Sequence, residues 1–301
     1  MGEAWVPEIV VEKELAVRLI RKQVPEILLE SIKELGEGFD NTIYVVNGQY
    51  VFRFPRREIA ENLMKTEAVL LPFLQPLLPM KIPVPIFFGE KSKEYKWSFL
   101  GYDYLLGDMP AELDKSNRSK LIRPLAEFLK CLHHIPIAKL TDIPVPYDTL
   151  ARLDIEKRKP RLIEKLKFLL ELDSSPVLHM ARNYVEKIEP IEVPKRHVLV
   201  HGDLHLGNML VNQNKELTAI IDWGDVHIGH RAIDLAIVYS LININEREAF
   251  FSIYGEVDAI SLELAKFKAV YTLVMLLAYA SDKRNKKLYK EAMTSLAIAL
   301  S

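Results

Sequence analysis

One stretch restricts the fold of this chain more than any other: Val200–Asp225, VHGDLHLGNMLVNQNKELTAIIDWGD. Val198-Leu199-Val200 and Ala219-Ile220-Ile221 read as short buried strands, so Asp203, Asn208 and Asp222 fall where strands end and loops begin. Phosphoryl transfer requires such a set: one carboxylate to orient and deprotonate a hydroxyl, with an amide and a second carboxylate to hold Mg2+ on nucleotide phosphates. Asp and Asn are also common in turns, where their side chains bond neighbouring backbone. Three such groups in this order, bracketed by strands, carry far more weight than any one alone. His201 reads as a residue that orders the loop through a backbone hydrogen bond rather than one that moves a proton. His205 and His227 lie nearby in sequence, but their spacing makes no metal-ligand cluster.

Around this stretch the chain has two regimes. Residues from about 29 to 105 read mainly as strands with one main helix, and those from about 115 onward mainly as helices. Leu105-Leu106-Gly107-Asp108-Met109-Pro110 lies between them as a hinge. An amphipathic helix over Glu12–Gln23 comes first, stopped by Pro25. Ser31–Leu35, Thr42–Val46 and Gln49–Phe54 then read as strands, with Asn47-Gly48 as the two-residue hairpin turn. The intervening Gly36-Glu37-Gly38-Phe39-Asp40-Asn41 makes a flap whose backbone can lie over phosphates, although ordinary hairpin loops use the same glycines. Arg53 stands among alternating apolar residues, and Glu67 follows within a helix over Glu58–Leu74. A cation held by a helix carboxylate and pointed at nucleotide phosphates suits the same chemistry; the plainer alternative is two surface charges. Val84–Phe88 and Trp97–Tyr104 are two further strands, the second leading into the hinge, where backbone groups can bond an adenine or guanine edge.

The carboxy-terminal part reads as helices over Lys120–His133, Leu162–Leu172, Val177–Ile188, Ala232–Leu241, Leu262–Ala280 and Leu288–Leu300. Asp234 opens the fourth of these as a cap or loop brace rather than a catalytic group. The fold expected is therefore α+β and two-lobed: residues 1–105 form an antiparallel sheet with one main helix, and 106–301 a larger, mostly helical lobe.

Composition excludes other classes. With 301 residues, 49% apolar and 27% charged, the chain has the balance of an ordinary globular protein. A formal charge of −1 gives no general attraction to nucleic acid or an anionic membrane. The single cysteine, Cys131, precludes an internal disulfide and fits a reducing cytoplasm. The first residues have no signal-peptide pattern, and no apolar run reaches the roughly 18 residues of a membrane helix.

The segments GEGFDNTIYVVNGQYVFRFPR and HGDLHLGNML…IIDWGD together resemble the aminoglycoside phosphotransferases, which share their fold with protein kinases. The Gly-Glu-Gly-x-Asp loop, the Phe-x-Phe-Pro strand and Ser98-Phe99-Leu100-Gly101-Tyr102 are most similar to the 2″-acting subgroup; macrolide 2′-phosphotransferases fit as well. The resemblance runs from about residue 30 to 245. It implies a kinase that uses Mg2+ and moves the γ-phosphoryl group of ATP or GTP to a hydroxyl of an antibiotic. It makes Asp203 the catalytic base, and Asn208 and Asp222 the Mg2+ ligands. Gly36, Gly38, Asp40 and Asn41 cover the triphosphate, and the backbone at Asp103–Leu105 holds the base. Arg53, with Glu67 as partner, stands where the family often has lysine. Arginine keeps that charge but is larger and prefers forked contacts.

An aminoglycoside is the expected acceptor, with a macrolide and then a choline- or homoserine-type metabolite as alternatives. A non-catalytic nucleotide-binding scaffold is the reading from another class. A polycationic acceptor should gather carboxylates. Glu246, Glu248, Glu256, Asp258 and Glu263 are the candidates, offset by the basic run Lys283-Arg284-Asn285-Lys286-Lys287. The apolar helix over Tyr271–Tyr279 would suit a macrolide.

Overall fold

The alternation of aromatic and β-branched residues after Ile32 folds as an antiparallel sheet whose two faces meet different helices. A computed structural model describes residues 8–37, 40–110 and 115–301. Its strands are β1 (Ile32–Glu37), β2 (Asn41–Val46), β3 (Tyr50–Pro55), β4 (Pro85–Gly89) and β5 (Phe99–Asp103), in the order β1-β2-β3-β5-β4. Asn47 and Gly48, both at positive φ, close the β2–β3 hairpin as their residue types require. On one face Phe52, Phe54 and Phe99 pack with α1 (Lys13–Gln23), and the Phe54 and Phe99 rings stack at 4.7 Å. Each fully buried ring is worth about 1.5–3 kcal/mol over an exposed one. Leu100 and Tyr102 point the other way, against Met64 of α2 (Glu58–Leu74). Successive side chains on a strand face opposite sides, so Arg53, between Phe52 and Phe54, is turned toward the α2 face.

The glycine flap differs from expectation. The flap is shorter than Gly36–Asn41, because β1 continues to Glu37 and Asn41 already belongs to β2. A β-bulge at Leu35 lets Gly36 pair with Ile43 within the strand. Gly38 lies outside the described residues.

The carboxy-terminal part is built on α3 (Lys115–Ser119), α4 (Ile122–His133), α5 (Ile155–Leu172), α6 (Pro176–Lys187), α7 (Ala232–Leu241), α8 (Arg247–Tyr254), α9 (Ala259–Asp282) and α10 (Lys286–Leu300). Two small antiparallel ribbons sit among these helices. β6 (His197–Val200) pairs with β9 (His227–His230), and β7 (Met209–Val211) with β8 (Leu217–Ile220). Helix α5 begins two turns before the expected Leu162. Pro160 lies inside it, and Asp154 caps it by accepting from Lys157 N at 2.9 Å. Leu70, Leu71 and Leu74 of α2 belong to the large carboxy-terminal core rather than to the sheet. The connector after α2 is tied to β8 by Lys81 N donating to Thr218 O and Ile220 N donating to Lys81 O. These links hold the sheet over the ribbons. Among the described residues, no helix is long and apolar enough to cross a membrane.

Candidate active site

Strand β6 ends at Val200 and delivers His201, Gly202 and Asp203 to the top of the ribbon pair. The turn is tight enough to require glycine. Gly202 has φ +88°, and a Cβ there would lie 2.1 Å from the Asp225 carbonyl oxygen. Asp234, fully buried in the first turn of α7, accepts from His201 N at 2.8 Å and Gly202 N at 2.9 Å. His133 Nε2 meets the same carboxylate at 3.1 Å, and its Nδ1 hydrogen-bonds the Tyr254 hydroxyl at 2.7 Å. Burial would raise the Asp234 pKa, but His133, His201 and the Gly202 N–H outweigh it and hold the carboxyl below the usual range. Asp234 is thus a loop brace.

His201 orders the loop as its type suggested. Its Nε2 donates to Ile221 O at 3.1 Å, so Nδ1 is left to accept from Asp203 N at 3.4 Å. Trp223, completely buried, packs on its ring at 4.8 Å between centroids. The loop bearing Asp203 and the loop bearing Asp222 are therefore one hydrogen-bonded unit.

Asn208 completes that unit. Its Nδ2 donates to Asp203 O at 2.9 Å, and Ile221 N donates to its own backbone oxygen at 2.9 Å. Because Met209 pairs with Ile220 across β7 and β8, Asn208 and Asp222 flank the same end of the ribbon. The Asp203 carboxylate is open to solvent on one side, with His205 Nε2 at 3.5 Å from Oδ2. Burial would raise its pKa; His205, His201 and Lys268 reverse that and hold it at about 2, so the group is ionised near neutrality. Asp222 sits at φ +63°, a conformation rare for a residue with a side chain, and its carboxylate is exposed.

This donor set suits Mg2+. The Asn208 amide nitrogen is committed, which turns its side-chain oxygen into the available ligand beside the Asp222 carboxylate. Among the described residues, no three His, Cys, Asp or Glu side chains converge as a self-sufficient metal centre. Two oxygen ligands are the usual protein share for Mg2+, which keeps waters and takes the rest from substrate phosphates.

Above the pair lies the expected cation. Arg53 Nη1 donates to Glu67 Oε2 at 2.7 Å, and Nη2 stands 3.6 Å from Asp222 Oδ1. Burial would lower the Arg53 pKa, but Glu67, Tyr102 and Asp222 outweigh it and raise it, so the guanidinium stays charged. A Cβ on Gly224 would lie 3.8 Å from each of Arg53 Nη2, Asp222 Oδ1 and Glu67 Oε1, which places this glycine against all three groups.

The remaining expected residues frame the cleft less closely. A side chain at Gly36 would meet open space. The Asp40 carboxylate is bound by Arg57, and Asp40 O accepts from Arg56 N at 2.8 Å. The Asn41 side-chain oxygen is buried without a hydrogen-bond partner. Asp103 ends β5 opposite Tyr50, and Leu105 follows as a half-buried residue whose backbone N–H makes no hydrogen bond among the described residues.

The chain's other contribution is a cavity of about 180 Å³ against Asp203, with Arg152, Arg158, Asp225, Lys268 and Tyr271 on its wall. Local sequence pattern does not single out these groups. A faint signal existed: Lys268 and Tyr271 are three apart on α9 and so share one helix face. Nothing local shows that α5 and α9 converge on Asp203.

The phosphotransferase enzyme family model matches residues 31–267. Among solved structures, the GDP and kanamycin complex of the aminoglycoside phosphotransferase APH(2″)-IIIa superposes with a TM-score of 0.68 at 26% identity, covering 95% of this chain and 98% of that one. The streptomycin–ATP ternary complex of APH(2″)-IIa gives 0.59 at 19% identity, over 96% and 97% of the two chains. The macrolide 2′-phosphotransferase of Brachybacterium faecium gives 0.59 at 18%, over 94% and 98%.

Proposed function

The chain belongs to the phosphotransferase enzyme family, and we propose that within it the chain transfers the γ-phosphoryl group of ATP or GTP to a hydroxyl of a small molecule. The observation that carries this reading is the frame joining Asp203, Asn208 and Ile221, which fixes a solvent-facing carboxylate beside a two-oxygen cation site. Asp203 takes the hydroxyl proton as the acceptor oxygen bonds to the γ-phosphorus. The bond from that phosphorus to the β–γ bridging oxygen breaks, and the electron pair leaves with the nucleoside diphosphate. Asn208 and Asp222 would hold Mg2+, which supplies charge neutralisation on the phosphates. Arg53, oriented by Glu67, adds a fixed positive charge facing Asp222.

The nucleotide is placed between two lobes divided near residue 105, under the flap that Gly36, Asp40 and Asn41 border and against the backbone of Asp103–Leu105. Similarity to the GDP and kanamycin complex supports a guanine nucleotide as a donor beside ATP, and an aminoglycoside as one acceptor. The basic side chains on the cavity wall beside Asp203 favour a different charge class. The intact Asp203, Asn208 and Asp222 set speaks against a non-catalytic scaffold.

The test is transfer of labelled γ-phosphate from ATP and from GTP, with and without Mg2+, to a panel of hydroxylated acceptors. Metal-dependent transfer to any acceptor is the expected result. Tight nucleotide binding with no transfer to any of them would show a binding scaffold instead.

A further inference from the structure

The charges around the cavity at Asp203 are unequally neutralised. Arg152 is occupied, donating to Asp148 at 2.8 Å and to Asp225 at 2.5 Å. Its charge and theirs thereby offset one another at the cavity wall. Arg158 has only neutral partners: Leu150 O at 2.6 Å, Ala151 O at 3.4 Å and the Tyr271 hydroxyl at 3.5 Å. Lys268 donates to Thr272 Oγ1 at 3.0 Å. Neither Arg158 nor Lys268 has a salt bridge among the described residues, yet both are half-buried on the cavity wall. Burial pushes the Lys268 pKa down, the mark of an ammonium group that would gain from an added anion.

Two of the carboxylates that a polycation could use are engaged elsewhere. Asp258 caps α9 through Ser261 N and pairs with Arg231 at 3.0 Å, while Glu263 accepts from the Tyr184 hydroxyl at 2.9 Å.

We infer that the acceptor is a small hydroxylated molecule bearing an anionic group, a carboxylate or a phosphate, which Lys268 and Arg158 hold while its hydroxyl meets Asp203. This rests on the phosphotransferase reading above. Lys268 and Arg158 are then specificity-determining residues rather than participants in the transfer itself.

The experiment is a transfer assay on the full-length chain with Mg2+ and ATP or GTP. The acceptors are hydroxy acids and hydroxylated amino acids in one arm, sugar and polyol phosphates in a second, neutral polyols in a third, and aminoglycosides and macrolides in a fourth. Turnover in the first or second arm is expected, and the productive arm identifies the anion. Lys268→Met and Arg158→Gln should then each raise KM for that acceptor roughly 10- to 100-fold, the range for losing a hydrogen bond to a charged group, with nucleotide affinity unchanged. Unchanged nucleotide affinity also shows that the variants fold. Turnover in the third or fourth arm alone overturns the inference and leaves the kinase reading intact. So does a KM that neither substitution moves. Absence of transfer in all four arms, with nucleotide bound, overturns both.

Discussion

Arg53 donates from Nη1 to Glu67 Oε2 at 2.7 Å, and both side chains are nearly withdrawn from solvent, at 12% and 1% exposure. A strand of the sheet and helix α2 are thereby joined at the point where Asp222 approaches from the carboxy-terminal part. Removing one partner leaves the other as an uncompensated buried charge, which typically costs about 3–5 kcal/mol. Glu67→Ala is therefore expected to lower the melting temperature and weaken nucleotide binding together. Arg53→Lys keeps the charge and loses the fork, so its main effect should be on nucleotide affinity. Calorimetry and nucleotide titration of the two variants separate these effects. Wild-type thermal stability in Glu67→Ala would show that the pair does not secure the strand to α2.

Asp234 makes the stability of the loop bearing Asp203 depend on pH. Its folded pKa lies below the unfolded value of about 3.9. Its contribution is therefore complete above that value and is lost as pH falls through the folded value. Asp234→Asn retains the shape but not the charge that faces His133 and the two loop N–H groups. The variant should lose about 2–4 kcal/mol at neutral pH and show a shallower loss of stability on acidification. Denaturant midpoints across the acid range test this; parallel curves for the two proteins would refute it.

Gly202 is the tightest steric constraint in the site. An added methyl group meets the Asp225 carbonyl at 2.1 Å in a backbone conformation that side chains rarely adopt. Gly202→Ala should cost at least about 2 kcal/mol and displace Asp203, with turnover falling more steeply than nucleotide affinity. A variant as active as wild type would mean that the loop position is not critical.

Local pattern and order made part of this site legible. Asp203, Asn208 and Asp222 could be found because each sits next to a strand, and the two-residue alternation around Arg53 was enough to aim it toward the α2 face. Bracing by His201 and Asp234 was also readable, since a buried polar residue beside a loop has backbone groups to satisfy. Strand β9 was not, because His227-Ile-Gly-His230 has no strand pattern and pairs with β6 only through tertiary packing. The first turns of α5 were hidden by Pro160, which the helix tolerates near its start. The cationic wall of Arg152, Arg158 and Lys268 joins residues more than a hundred positions apart, a distance that no local pattern spans.

The central claim is that Asp203 accepts the proton of the attacking hydroxyl. Its most direct test is the rate of γ-phosphoryl transfer by Asp203→Asn beside wild type, with nucleotide affinity measured on the same samples. An amide cannot take the proton, so the rate should fall by roughly 10²- to 10⁴-fold, the range for general acid–base catalysis, while nucleotide binding and the melting temperature persist. Transfer at the wild-type rate would contradict the claim.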